Sequence, residues 1–82
     1  MQWHHIVGQN PSNIYNIGWE KIHHTDNLIR VTASEHAAIN AHYESRPPNL
    51  GGETVREWLS HYSYDDQHEY AVHFLRGLGI SI

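Results

Sequence analysis

The absence of cysteine limits how this chain can be held together. At 82 residues it is near the lower size limit at which one apolar core stabilises a domain. Without cysteine, neither a disulfide nor a cysteine-ligated zinc ion can supplement that core. The sequence therefore predicts a single domain over residues 1–82 with a small stability margin, in which any metal is held by histidine, asparagine or carboxylate groups.

Nine histidines are the outlier in the composition. They are dispersed along the chain, so they are not an affinity tag. Because a single metal ion uses only a few imidazoles, most of them must serve other purposes. We assign a structural or surface role to His42, His61, His68 and His73.

The charge balance restricts the partners of the chain. Its formal net charge is −4 at pH 7 with histidine neutral. Lys and Arg normally provide affinity for nucleic acids, so this balance opposes a nucleic-acid function, although a bound divalent cation would add positive charge where a phosphate sits. No apolar run approaches the roughly 18 to 20 residues that span a bilayer. The N-terminus does not resemble an export signal, and we expect no membrane contact by this domain.

The first third of the chain has the pattern of short strands. Apolar residues cluster at 3–7, 19–24 and 28–31, and the first two clusters are separated by turn-forming Gly, Asn, Pro and Ser. The pattern predicts a β-hairpin or ribbon with a long loop.

Capping signals mark three helices. Thr32 and Glu35 form a capping box that predicts a helix over residues 33–45, and the Pro-Pro and Gly-Gly pairs in residues 46–52 predict a loop after it. Thr54 and Glu57 form a second capping box. Ser63 is the predicted cap of a third helix, which a glycine at position 77 or 79 ends.

Large aromatic side chains are expected in the core, because a chain this short needs most of its large apolar groups inside. This expectation covers Trp3, Trp19, Trp58, Tyr62 and Phe74.

Candidate metal ligands occur in two of the predicted elements. Adjacent side chains on a strand point to opposite faces, so His4 and His5 serve one site only if the backbone bends locally. His36 lies one turn into the first helix and approaches His4 if that helix packs across the ribbon, with Asn40 one turn later on the same side. We therefore predict His4, His36 and Asn40 as metal ligands.

Three segments together resemble the HNH family of nucleases, also called ββα-metal or His-Me finger nucleases. They are residues 3–7 (WHHIV), 26–32 (DNLIRVT) and 35–40 (EHAAIN). The resemblance implies an α+β fold, with a ββα-metal finger in residues 1–46 buttressed by a helical pair in residues 53–79. The nine-residue step from Asn27 to His36 is similar to that of nuclease colicins, in which a histidine stands where this chain has Asn40.

The same resemblance implies roles for individual residues. His5 would be the general base that activates water, and Asn27 would orient its ring. One divalent ion, Mg²⁺, Mn²⁺, Zn²⁺ or Ni²⁺, held by His4 and His36 would stabilise the charge that develops on the phosphate.

The implied substrate is DNA cut with little sequence preference, and RNA remains an alternative. Arg30 or Lys21 is predicted to contact a flanking phosphate.

A second resemblance concerns the C-terminal half. Residues 52–59 (GETVREWL) and 67–70 (QHEY) look like the end of HNH toxin domains in bacterial polymorphic toxins. This implies a domain of a larger secreted or delivered toxin, which acts in the cytoplasm of a target cell and is neutralised by a cognate immunity protein.

Two alternatives stay open on the residues alone. In the first, His4 and His36, with His24 as a further ligand, hold a structural zinc in a binding module without turnover. His23 or His24 would also be able to replace His4 in a catalytic site. In the second, the chain is a histidine-rich helical interaction domain without metal.

Overall fold

Two short antiparallel strands bring the N-terminal segment beside residues 28–31. In the computed structural model, which describes residues 2–82, strand β1 (Gln2–His5) pairs with strand β2 (Leu28–Val31). Ile29 and Val31 in β2 and Trp3 in β1 are residue types that favour extended backbone. The predicted pairing of two strands is confirmed.

The register of this ribbon decides which side chains share a face. His4 is opposite Ile29, and Trp3 is opposite Arg30. Because side chains alternate along a strand, His4 lies on the same face as Ile29 and Val31. Val31 is fully buried and Ile29 packs against the main apolar cluster, so this face of the ribbon is the inner one.

The connection between the strands is helical, whereas the sequence predicted a long loop. It contains helix α1 (Pro11–Ile17), helix α2 (Trp19–Ile22) and a 3₁₀ turn (Thr25–Asn27). At the start of α1, Oδ1 of Asn10 accepts a hydrogen bond from the backbone N–H of Asn13 at 2.9 Å, and a proline occupies the first turn. Segments of four to seven residues show too few turns for a helical period to appear in the sequence.

Helix α3 (Ala33–Glu44) begins at the predicted capping box. The backbone N–H of Glu35 donates to Oγ1 of Thr32 at 3.1 Å, and the carboxylate of Glu35 accepts from the backbone N–H of Thr32 at 2.8 Å. The box fixes the first turn of α3 directly after β2 ends. The helix therefore crosses the ribbon at a defined point, and it contacts β1.

Two more helices follow a turn. The chain continues through a 3₁₀ turn (Pro48–Leu50) into α4 (Val55–Leu59) and α5 (Tyr64–Gly77). The predicted caps are confirmed at Thr54 and Ser63, and α5 ends at the predicted glycine. Helix α4 is only five residues long.

The core lies between β2 and helices α3, α4 and α5. Its buried members are Val31, Ile39, Tyr43, Val55, Leu59 and Leu75. They come from four elements that are distant in sequence, so the ribbon and α3 share one core with the C-terminal helices. The described residues form an α+β arrangement.

The expectation that the large aromatic side chains lie in the core is wrong for three residues. Trp3 is 64% exposed, Trp19 57% and Tyr62 44%. Trp58 and Phe74 are partly buried against the core. A two-stranded ribbon and a four-residue helix offer little inner surface, so large rings placed on them stay on the outside.

A buried polar pair ties α1 to α5. The side-chain amides of Asn13 and Gln67 exchange two hydrogen bonds, each 2.9 Å long. Asn13 also donates to the carbonyl of Gly8, and Gln67 donates to the carbonyl of Tyr62. Both amides are almost fully buried, so these bonds satisfy groups that would otherwise lose their water.

Within residues 2–82, no helix has the length and apolar character to cross a membrane.

Candidate functional site

Two of the histidine-bearing elements meet around one cavity. A space of about 320 Å³ lies where the end of β1 faces α3 and α4. His4, His5, His36 and Asn40 line it, together with Arg56 from α4. The structure therefore brings together four of the site residues predicted from the sequence. It adds Arg56, which was not predicted.

His4 lies against His36 with one ring nitrogen buried. Its ring meets that of His36 edge to face, with the ring centroids 5.8 Å apart. Its Nε2 atom is buried and has no hydrogen-bond partner among residues 2–82. Burial, followed by the charges of His36 and His5, lowers the pKa of His4 from 6.5 to about 4. The ring is therefore neutral at pH 7, and a buried polar nitrogen without a hydrogen-bond partner is unusual in a folded protein.

His36 is accompanied by the side chain of Asn40. Nδ1 of His36 lies 3.3 Å from Nδ2 of Asn40, one helical turn away on the same face of α3. Asn40 therefore contacts the ring of His36. The sequence predicted it instead as a third metal ligand. An amide in contact with one ring nitrogen fixes which nitrogen of His36 remains available.

The protein contributes few metal donors here. No group of three His, Cys, Asp or Glu side chains within residues 2–82 is placed to hold a metal ion. Two imidazoles and one amide would leave coordination positions open, which is a property of catalytic sites. A structural zinc normally has four protein ligands, and His24, the expected extra one, does not line this cavity.

His5 contacts His23. Nε2 of His5 lies 3.1 Å from Nδ1 of His23, and the two rings meet edge to face. The ring of His23 also stacks on that of Trp19 at a centroid distance of 4.4 Å. Burial, followed by the charge of His23, lowers the pKa of His5 below its usual value. His23, the residue directly after α2, thus contacts and orients the ring of His5.

Asn27 does not orient His5, which corrects the role expected for it. Its Oδ1 accepts from the backbone N–H of Val7 at 2.7 Å, and its Nδ2 donates to the carbonyls of Val7 and Ile22 at 2.9 and 2.7 Å. Its backbone carbonyl accepts from the N–H of Ile6 at 2.7 Å. The buried amide therefore holds the chain directly after β1 and ties it to the end of α2.

A bend directly after β1 accompanies the placement of His4 and His5 in the lining of one cavity. Strand β1 ends at His5, where the contacts of Asn27 redirect the backbone. His4 and His5 both line the cavity although neighbours on a strand point to opposite faces. Asn27 thus fixes the backbone on which both imidazoles depend.

The two cations predicted to contact phosphate lie elsewhere. The guanidinium of Arg30 is 5.6 Å from the ring centre of Trp3, and Nζ of Lys21 is 4.3 Å from the ring centre of Tyr64. Neither residue lines the cavity. For Lys21 the physical reason is that α2 carries it toward the acidic start of α5. Arg30 is exposed on the ribbon opposite Trp3, which does line the cavity, so Arg30 lies beside the cavity and not in its lining.

Comparisons with known proteins give no relative for this chain. No protein family, no curated protein and no solved structure matches it. Function is therefore inferred from the cavity and its residues.

Proposed function

We propose that this chain is a metal-dependent endonuclease that hydrolyses phosphodiester bonds, with the ribbon and α3 acting as a ββα-metal finger. The observation that carries the proposal is the buried, unpartnered Nε2 of His4 beside His36, two residues that line one open cavity together with His5. The resemblance of the sequence to HNH nucleases supports the same assignment.

The donor set fits a transition-metal ion. His4 and His36 would hold it, and no carboxylate from residues 2–82 lines the cavity. Imidazole suits Zn²⁺ and Ni²⁺ better than Mg²⁺ or Mn²⁺, which prefer oxygen ligands. When bound, the ion would supply Lewis-acid stabilisation of the charge on the phosphate and on the leaving oxygen.

Asn40 would determine which nitrogen of His36 is free. The amide oxygen and nitrogen have nearly the same shape, so a rotation of the Asn40 side chain places Oδ1 against Nδ1 of His36 without other changes. In that orientation Nδ1–H of His36 donates to Asn40 and Nε2 keeps its lone pair. Asn40 is then a positioning residue for a ligand, and the remaining positions on the ion are left for water and phosphate.

His5 would be the general base, with His23 selecting its tautomer. If Nε2–H of His5 donates to Nδ1 of His23, Nδ1 of His5 keeps the lone pair that accepts a proton from water. The oxygen of that water forms a bond to phosphorus, the bond from phosphorus to the leaving oxygen breaks, and the leaving oxygen takes a proton from solvent. His5 later returns its proton to solvent.

The biological setting is part of the proposal. Because the similarity to toxin nucleases extends to residues 52–59, we propose DNA as the substrate, delivery within a larger bacterial toxin to a target-cell cytoplasm, and neutralisation by an immunity protein. RNA is the second substrate to test.

Cleavage by the purified protein tests the proposal. Supercoiled plasmid and a folded RNA are incubated with Mg²⁺, Mn²⁺, Zn²⁺ or Ni²⁺, with EDTA as the blank. We expect nicking that requires metal, is lost in His5→Ala and persists in His73→Ala, a matched change of an exposed histidine outside the cavity. Metal binding without cleavage of either substrate would contradict the proposal and favour a non-catalytic zinc-stabilised binding module.

A further inference from the structure

Arg56 supplies a positive charge to the cavity. It lines the space of about 320 Å³ together with His4, His36 and Asn40. It also lines a smaller space of about 50 Å³ on the inner side of His4. Among the residues that the structure describes, no other Lys or Arg lines either space.

The other four cations are engaged elsewhere. Lys21 lies over the ring of Tyr64 outside the cavity, and Arg30 lies over Trp3, which lines the cavity, although Arg30 itself does not. Arg46 pairs with Glu57, and Arg76 donates to the carbonyl of Ile82. Among the described residues, Arg56 is therefore the one cation that lines the space beside His4 and His36.

The position of Arg56 is well defined. Helix α4 is anchored by the buried Val55 and Leu59, and the backbone N–H of Val55 donates to the carbonyl of Ser45 at 3.0 Å. The guanidinium then reaches Glu44 at the end of α3, with Nη1 3.3 Å from Oε1. This single contact uses one of five N–H donors, so the rest of the guanidinium can bind an anion.

We infer that Arg56 is the substrate-phosphate ligand of this cavity, and that it binds a phosphodiester of the nucleic acid that the proposed nuclease cleaves. The inference rests on the proposed function. A guanidinium matches two phosphate oxygens with two parallel N–H donors, which an ammonium group does not. A phosphate between Arg56 and the metal-binding imidazoles would be held in place before attack, despite the net charge of −4.

The salt dependence of binding tests the inference without cleavage. A short labelled DNA duplex and a single-stranded RNA are titrated with protein in EDTA, and log Kd is plotted against log salt. Each phosphate contact contributes a slope of about 0.9 for duplex DNA and about 0.7 for a single strand. We expect Arg56→Gln to weaken binding and lower the slope by about one contact. Arg76→Gln, which changes the net charge equally on an exposed site outside the cavity, keeps the slope of the unmodified protein.

Arg56→Lys extends the test in case Arg56→Gln does not fold. It keeps the charge and loses the planar fork, so we expect an unchanged slope with a severalfold weaker Kd. Equal slopes and affinities for the Arg56 variants and the unmodified protein would overturn the inference, as would no binding of either probe by the unmodified protein. Binding that depends on Arg56 without any metal-dependent cleavage would support Arg56 and contradict the nuclease.

Discussion

Nε2 of His5 and Nδ1 of His23 lie 3.1 Å apart, which joins the end of β1 to the end of α2. His23 is in turn stacked on Trp19. His23 thus has two ring neighbours, which limit its rotation. Its contact with His5 therefore favours one orientation of the His5 ring. The sequence showed both histidines, but it gave no reason to pair them.

His23 is therefore expected to affect turnover more than substrate binding. His23→Ala should lower kcat about 10- to 100-fold, the range found for groups that orient catalytic imidazoles, and leave KM nearly unchanged. His23→Asn should recover part of the loss, because its side-chain amide lies near the position of Nδ1. Steady-state plasmid cleavage measures both constants. The control is His24→Ala on the exposed neighbouring residue, and an equal loss in that variant would contradict a specific role for His23.

Asn27 is expected to act on stability. Asn27→Leu removes three buried side-chain hydrogen bonds and leaves the backbone groups of Val7 and Ile22 without partners. We expect a loss of about 3 kcal/mol in the free energy of unfolding, a large part of the margin of so small a domain. Urea denaturation followed by circular dichroism measures it. A variant with full stability and a reduced kcat would instead restore the orienting role first expected for Asn27.

Asn40 variants separate orientation from direct ligation. Asn40→Asp keeps an oxygen against Nδ1 of His36 and should bind Zn²⁺ at least as tightly as the unmodified protein. Asn40→Leu should bind it about 10- to 100-fold more weakly. Asn40→His, which adds an imidazole, should bind it more tightly and occupy a coordination position that substrate needs. Calorimetric titration measures these affinities, and equal binding by the Asp and Leu variants would show that Asn40 is not involved.

His42 is expected to make stability depend on pH. Its ring stacks on Phe74 at 4.0 Å, its Nε2 lies 2.7 Å from the hydroxyl of Tyr70, and burial lowers its pKa from 6.5. The unfolded chain therefore takes up a proton at a higher pH than the folded one. The stabilisation is present above about pH 6.5 and is lost as the pH falls toward the folded-state pKa.

Chemical denaturation of the unmodified protein and His42→Leu, from neutral pH to about pH 5, measures this dependence. The free energy of unfolding should fall less steeply with decreasing pH in the variant. The comparison uses the slopes, because the variant also loses the contact with Tyr70 and should be less stable at every pH. Equal slopes of unfolding free energy against pH in the two proteins would contradict a contribution of His42 to the pH dependence.

Local signals in the sequence predicted some elements and missed others. Thr32 and Thr54 were identified as caps because a capping box involves residues only three apart. Helices α1 and α2 were missed because they are short and are stabilised by tertiary contacts such as the pair of Asn13 with Gln67. The position of Arg56 depends on how α4 packs, which no local pattern records.

The amide pair of Asn13 and Gln67 joins positions 54 residues apart in sequence. Closing so large a loop costs conformational entropy before any contact repays it, so the native position of α1 depends on its contact with α5. Residues of the segment between β1 and α1, including Gly8 and Asn10, form one wall of the cavity. A fragment limited to residues 2–46 would lack that anchor, and also Leu75 from the core. The histidine site is thus not a portable module, and transplanting the ribbon and α3 into another scaffold would carry over its residues without their arrangement.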